Sequence, residues 1–238
     1  MAEVDIITIT YGDGPALEAA LRSVAEQTAR ARMRHIVVDS NEEAAMVDGY
    51  DVTHVRMEPR GIYAALNEGI RRGEAPIVGM LHGNDRYASA DVVERVLETF
   101  ANDPTLDFLY ADLEYRNASG RTIRRYDSGS FKPHMLRWGW APAHPTLFVR
   151  RSVFDRVGLY DETFRIAGDF EYWLRLFDTA NGLHYKHIRA NFIIMSTGGV
   201  SSRLGNQLTV NMFEKRRALR LHGLPASPLA FLKRLKQL

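Results

Sequence analysis

Two apolar patterns alternate over the first hundred residues, and that alternation limits the possible folds more than any other feature of the chain. Asp5-Ile6-Ile7-Thr8-Ile9-Thr10-Tyr11, His35-Ile36-Val37-Val38-Asp39 and Ile77-Val78-Gly79-Met80-Leu81 are short β-branched and apolar runs without polar alternation. Strands covered on both faces read this way. Between and after them, apolar residues recur at helical spacing: Leu17, Leu21 and Val24; Ile62, Leu66 and Ile70; then Val92, Val93, Val96, Leu97 and Phe100. Gly12-Asp13-Gly14-Pro15 breaks the first strand, and Pro15 suits a first helical position. Gly73 is placed to stop the second helix, and Ser89 to cap the third. Strand followed by helix, three times over, predicts an α/β fold with a mainly parallel sheet and helices on both faces.

The second half departs from this rhythm. Phe108 to Tyr115 and Arg121 to Tyr126 read as a hairpin around residues 117–120, and Thr146 to Val149 as a short strand. Phe170, Trp173, Leu174 and Phe177 mark a helix, and Leu208 to Leu221 another. No repeat or linker divides the chain, so one mixed-sheet domain over 1–202 and a basic helical tail over 203–238 are expected. Hydrophobic residues at 45% and charged residues at 25% of 238 exclude a disordered tail, a collagen-like repeat and a coiled coil. No run approaches the roughly 20 apolar residues of a membrane span. The absence of cysteine excludes disulfides, thiolate metal sites and cysteine nucleophiles. With no secretory signal visible, the expected location is cytoplasmic.

The net charge of +2 hides an asymmetry. Residues 203–238 carry eight Lys/Arg and one acid, a local +7, which leaves −5 on the preceding 202. Lys215, Arg216, Arg217 and Arg220 stand among Phe213, Leu219 and Leu221, and Lys233, Arg234 and Lys236 among Leu229, Phe231, Leu232 and Leu235. That is the composition of a segment lying on a membrane surface, here the inner face of the cell membrane. A helix packed on the domain, or a subunit interface, has the same composition. Nucleic acid is not expected as a partner, because the body is acidic and lacks an aromatic-basic platform.

Three strand ends carry polar groups: Thr10-Tyr11, Asp39-Ser40 and His82-Gly83-Asn84-Asp85. Each alone has an ordinary structural explanation, as a packing aromatic, a cap or a turn. Together, at the carboxyl edge of one sheet, they suit a nucleotide-sized ligand. The dinucleotide fingerprint and the Walker A sequence are both missing, and so is a Gly-x-Ser-x-Gly elbow.

The order of eight segments carries a resemblance. They are Ile7-Thr8-Ile9-Thr10-Tyr11, Val37-Val38-Asp39-Ser40, Glu58 to Gly69, Leu81 to Tyr87, Tyr110-Ala111-Asp112, His144 to Val149, Ala167-Gly168-Asp169-Phe170-Glu171 and Gly198-Gly199-Val200-Ser201. From about Val4 to Ser202 the chain resembles family 2 glycosyltransferases of the GT-A fold, especially the bacterial type that builds capsule, colanic-acid-like and lipopolysaccharide chains. The resemblance implies inverting transfer of a sugar from a nucleotide donor, a UDP-sugar above all, to a hydroxyl of a glycan or lipid-linked acceptor. It implies that Thr10, Tyr11 and Asp39 hold base and ribose, that Gly61, Tyr63 and Asn67 line the donor pocket, and that Asp169 is the catalytic base. In the family the turn after the third strand ends in two aspartates, the first of which binds a divalent cation, Mn²⁺ or Mg²⁺. Asn84 stands at that position here. Three outcomes are open: a metal held through Asp85, a weaker site at Asn84 and Asp85, or no metal, with His82 and His144 as candidates to neutralise the diphosphate. A nucleotide-sugar-binding or regulatory protein without turnover is the alternative reading that Asn84 raises.

Overall fold

The computed structural model describes residues 1–12, 14–117, 119–196 and 204–225. Its strands are β1 (Val4–Thr10), β2 (Met33–Asp39), β3 (Thr53–Arg56), β4 (Ile77–His82), β5 (Asp85–Tyr87), β6 (Phe108–Arg116), β7 (Thr122–Tyr126), β8 (Phe148–Arg150) and β9 (Tyr185–Ser196). The helices are α1 (Pro15–Ala25), α2 (Ile62–Arg72), α3 (Val92–Asn102), α4 (Arg151–Val157), α5 (Gly168–Leu176) and α6 (Leu204–Leu221). One sheet runs in the order β3-β2-β1-β4-β8-β6-β9-β5, with β7 paired on β6. Strands β3, β2, β1 and β4 are mutually parallel, while β8 is antiparallel to both β4 and β6. The mixed, mainly parallel sheet expected from the alternating patterns is therefore present.

Successive residues of β1 serve opposite faces. Ile7 and Ile9 pack with Tyr63, Leu66 and Ile70 of α2 and the aromatic residues of α5. Val4 and Ile6 pack with Ala20 and Val24 of α1 and the apolar stripe of α3. This double burial accounts for the unbroken apolar runs in the sequence. The chain leaves β1 towards β2 and β3 on one side and returns through α2 to β4 on the other. The crevice at the carboxyl ends of β1 and β4 is thus a topological switch point, where open α/β sheets bind ligands.

Several local expectations change. Ser89 does not cap α3: its hydroxyl donates to Asp91, and Gln27 Oε1 accepts the Val93 N–H at 3.0 Å. Residues 144–146 form a 3-10 turn rather than the start of a strand, so β8 begins at Phe148. Strands β3, β5 and β9 and helix α4 have no counterpart among the sequence expectations. The tail does not stand apart, because Ala218 and Leu219 of α6 join the main core. Its distal basic stretch, together with the Gly198-Gly199-Val200-Ser201 segment, lies outside the described residues.

Candidate active site

A cavity of about 580 Å³ opens at the switch point, within the range that takes a ligand of nucleotide size. Its floor comes from the ends of β1, β2 and β4: Ile9, Thr10, Tyr11, Ser40 and His82 to Asp85. Backbone bonds join these ends, from Gly83 N–H to Ile9 O at 2.9 Å and from Ser40 N–H to Thr10 O at 3.1 Å. The Thr10 hydroxyl is buried in this floor and has no hydrogen-bond partner among the described residues. Such a group is costly unless something hydrogen-bonds it. Tyr11 is 63% exposed at the rim.

The N-terminus of α2 supplies Gly61, Ile62 and Tyr63, and the opposite wall carries Asp169 and Phe170 from α5 and Lys215 from α6. The Tyr63 hydroxyl donates to Ile166 O at 2.6 Å and accepts the Asp169 N–H at 3.1 Å. Burial, followed by the nearby Asp169 charge, pushes the phenol well above its ordinary range, so it remains a donor. Gly168 is required by this packing, because a Cβ there would lie 2.7 Å from the Tyr63 ring. Asp169 is half-buried, with Oδ1 accepting the Phe170 N–H at 2.7 Å. A carboxylate in the first turn of a helix is also favoured by the helix dipole.

Three candidate residues take on work other than that expected. Asp39 is fully buried and does not line the cavity. Its Oδ1 accepts from the Asn41 N–H at 2.9 Å and the Asn41 amide at 2.7 Å; Oδ2 accepts from the Ala45 N–H at 2.7 Å and Arg56 at 2.8 Å. His54 lies 3.1 Å from Oδ2. Burial pushes the Asp39 carboxyl up, but the Ala45, Asn41 and Arg56 bonds outweigh it and hold the value at about 2. A carboxylate saturated in this way organises the loop after β2 and has no oxygen left for a ribose.

Asn67 is likewise buried away from the cavity. Its amide donates to Tyr160 O and to Glu162, each at 2.9 Å, and its carbonyl accepts the Tyr160 N–H at 3.0 Å. It fastens α2 to the segment before α5. His144 does line the cavity, yet burial lowers it to about 4 and its Nε2 lies 2.8 Å from the Tyr160 hydroxyl. As a neutral imidazole near pH 7, it cannot offset a diphosphate charge. Lys215, absent from the sequence-based candidates, is the one lysine or arginine among the described residues that line the cavity. Nothing in the spacing of the tail distinguishes it from Arg216 or Arg217.

Asp85 is buried on β5 and lines the cavity beside half-buried Asn84. One carboxylate and one amide oxygen, joined by phosphate oxygens of a donor, match how Mg²⁺ is commonly held. Outside the cavity, Asp112, Asp127 and His187 bring ligand atoms within 4.8 Å of one another. Asp112 Oδ1 there already accepts from the Ser128 N–H and lies 2.9 Å from His187 Nε2.

Residues 5–158 match the family model for glycosyl transferase family 2. The chain belongs to that family. An uncharacterized glycosyltransferase of Mycobacterium tuberculosis is 29% identical over 178 residues, covering 72% of this chain and 68% of the relative. A PGL/p-HBAD biosynthesis glycosyltransferase of Mycobacterium bovis is 25% identical over 193 residues, covering 77% and 73%. Among solved structures, S. aureus TarS 1-349 in complex with UDP-GlcNAc superposes with a TM-score of 0.70 at 13% identity, over 92% of this chain and 66% of that one. The mannosyltransferase PcManGT from Pyrobaculum calidifontis, in complex with GDP-Man and Mn²⁺, gives 0.63 at 17% identity, over 96% and 66%. The chain thus spans about two thirds of each solved chain, and at these identities the likeness shows the GT-A fold. The family match ends before α5 and α6, so Asp169 and Lys215 lie beyond it.

No helix among the described residues is long and apolar enough to cross a membrane. The basic face of α6 is partly engaged with the domain: Lys215 Nζ donates to Gly139 O at 3.1 Å, and Arg217 donates to Thr163 Oγ1 at 2.6 Å. Phe213 and Leu221 remain exposed on the same helix.

Proposed function

We propose that the chain is an inverting glycosyltransferase that moves a sugar from a UDP-sugar to a hydroxyl of a glycan or lipid-linked acceptor in surface polysaccharide or glycolipid assembly. One observation carries the reading: the Asp169 carboxylate lines the same cavity as the carboxyl ends of β1, β2 and β4. A nucleotide seated on the strand ends has its sugar facing the α5 wall.

Asp169 accepts the proton of the acceptor hydroxyl as that oxygen attacks the anomeric carbon from the face opposite the leaving group. The bond from the anomeric carbon to the diphosphate oxygen breaks, its electron pair leaves with the nucleoside diphosphate, and configuration inverts. Thr10 and Tyr11 hold the nucleoside, and Gly61 with the Tyr63 ring borders the sugar. Asp85, with the Asn84 carbonyl, would hold a divalent cation, which would offset charge on the diphosphate. The UDP-GlcNAc in TarS supports the choice of base. The PGL/p-HBAD biosynthesis name of the mycobacterial relative supports a glycolipid acceptor. Exposed Phe213 and Leu221, with the basic stretch beyond residue 225, support contact with a membrane surface at the cytoplasmic side.

The test is calorimetric titration with UDP, GDP, dTDP and NAD, with Mn²⁺ and with chelator, on the natural chain and on Asp169→Asn. One nucleoside diphosphate should bind both proteins equally, while Asp169→Asn slows its release from the matching sugar nucleotide by ~10²–10⁴-fold. Full turnover by Asp169→Asn removes the base. Equal binding in chelator removes the metal. Binding without turnover in either protein favours the regulatory reading that Asn84 raises.

A further inference from the structure

Helix α5 carries Asp169 at its second residue, yet its own sequence does little to fix that end. Ala167, just before the helix, offers no side-chain cap, and the amides around a helix start need acceptors from elsewhere. Two distant elements supply the grip. From α2, the Tyr63 hydroxyl bridges Ile166 O and the Asp169 N–H. From α6, the Glu214 carboxylate accepts three consecutive backbone N–H groups, Arg165 on Oε1 and Ile166 and Ala167 on Oε2, each at 2.8 Å. Three successive amides converging on one anion form a nest, and each bond is charge-assisted.

We infer that Glu214 is a positioning residue for Asp169: it holds the 165–167 backbone so that the carboxylate two residues on faces the acceptor. The inference rests on the reading of Asp169 as the base. Glu214 is not alone in docking α6. Lys215 bonds Gly139 O and lies 5.0 Å from the centre of the Phe170 ring. Arg217 bonds Thr163 and stacks 4.4 Å over Phe164, and His222 lies 2.9 Å from Glu171. With Ala218 and Leu219 also buried, the helix is expected to stay in place when the Glu214 carboxylate is removed. A segment outside the family match thereby belongs to the catalytic apparatus.

Glu214→Gln and Glu214→Ala, each alone and on an Asp169→Asn background, test this. Turnover is read as release of nucleoside diphosphate from the sugar nucleotide that the calorimetric panel selects. Donor binding, thermal unfolding and hydrogen exchange at the 165–167 amides are read alongside. Glu214→Ala should lower kcat tenfold or more, leave donor KM and Kd within twofold, and speed exchange at those amides. Glu214→Gln, which keeps one oxygen acceptor and serves if the alanine variant folds poorly, should recover part of kcat. Neither change should add to the loss already caused by Asp169→Asn. Unchanged kcat in both Glu214 variants, while Asp169→Asn slows turnover as expected, overturns the inference and leaves the base reading standing. A further loss on the Asp169→Asn background shows that Glu214 acts apart from the base and overturns it as well. Full turnover by Asp169→Asn alone removes the base reading and this inference with it.

Discussion

The floor and the wall of the cavity are built by opposite strategies. The floor is made of consecutive strand ends from residues 9–85, each arriving through a local strand–helix–strand unit and joined to its neighbour by one backbone bond. The wall is collected from far apart in the chain: residues 165–170 and α6 meet across separations of 47–49 residues, and Tyr63 of α2 reaches the wall from 103–106 residues away. The contrast recurs in the carboxylates. Beneath the floor, Asp39 is consumed by the fold, and on it Asp85 stands beside an amide. On the wall, Asp169 lines the cavity while its backbone is gripped from two sides. Floor geometry follows from sheet pairing, whereas wall geometry depends on particular side chains, and single substitutions should separate the two.

The largest effect is expected at Asp85 and Asn84, the proposed cation ligands, where Asp85→Ala should reduce turnover about a hundredfold and remove any dependence on Mn²⁺. Asn84→Asp should move the other way, tightening Mn²⁺ at least about tenfold through the added ligand charge. Mn²⁺ titration followed by electron paramagnetic resonance measures both. Unchanged Mn²⁺ affinity in both variants would show that the floor holds no cation.

Asp39→Asn should be a change in stability before it is one in chemistry. Its carboxyl, near 2 in the fold against about 3.9 in an unfolded chain, contributes about 2 kcal/mol that is present above pH 4 and lost as pH falls towards 2. The variant should lose that contribution in urea unfolding at pH 7 and show a flatter profile between pH 4 and 2. Weaker nucleoside diphosphate binding with unaltered stability would return Asp39 to the ribose.

The smallest effect concerns two buried imidazoles. Burial, followed by the Arg30 charge, lowers His35 to about 3, and burial lowers His144 to about 4. Both lie below the unfolded value of about 6.5, so the unfolded chain binds protons first, and stability is complete above pH 6.5 and declines as pH falls. Each should cost about 1 kcal/mol at pH 6. His144→Gln should remove about half of that slope, and an unaltered slope would mean that His144 takes up its proton as readily in the fold as in the unfolded chain.

The same division explains what could be read from the chain. The floor was legible, because β1, β2 and β4 are buried on both faces and their apolar runs record it directly. Strand β5 is three residues long and exists through its pairing with β9, so no local pattern announces it. Strand β9 itself alternates poorly, since Tyr185 to Asn191 is mostly exposed or half-buried. Thr10, Tyr11 and Asp169 fall on the cavity where motif order placed them. Asp39 and Asn67 do not line it, and their partners at 41–56 and 160–162 are set by tertiary packing that no spacing encodes. Lys215 was hidden inside a run whose basic members look alike until the helix docks, and Glu214, the one acid there, has partners at 165–167 that no spacing encodes.

One oxygen atom links the two regions. Tyr63 Oη belongs to the helix that borders the floor, yet it is hydrogen-bonded to both sides of the turn that carries Asp169. Helices α2 and α5 therefore share a rivet, and the gap between them behaves as a gauge of set width. Reactants must fit that gauge as they find it, so the enzyme meets part of the entropic cost of alignment when it folds rather than at each turnover.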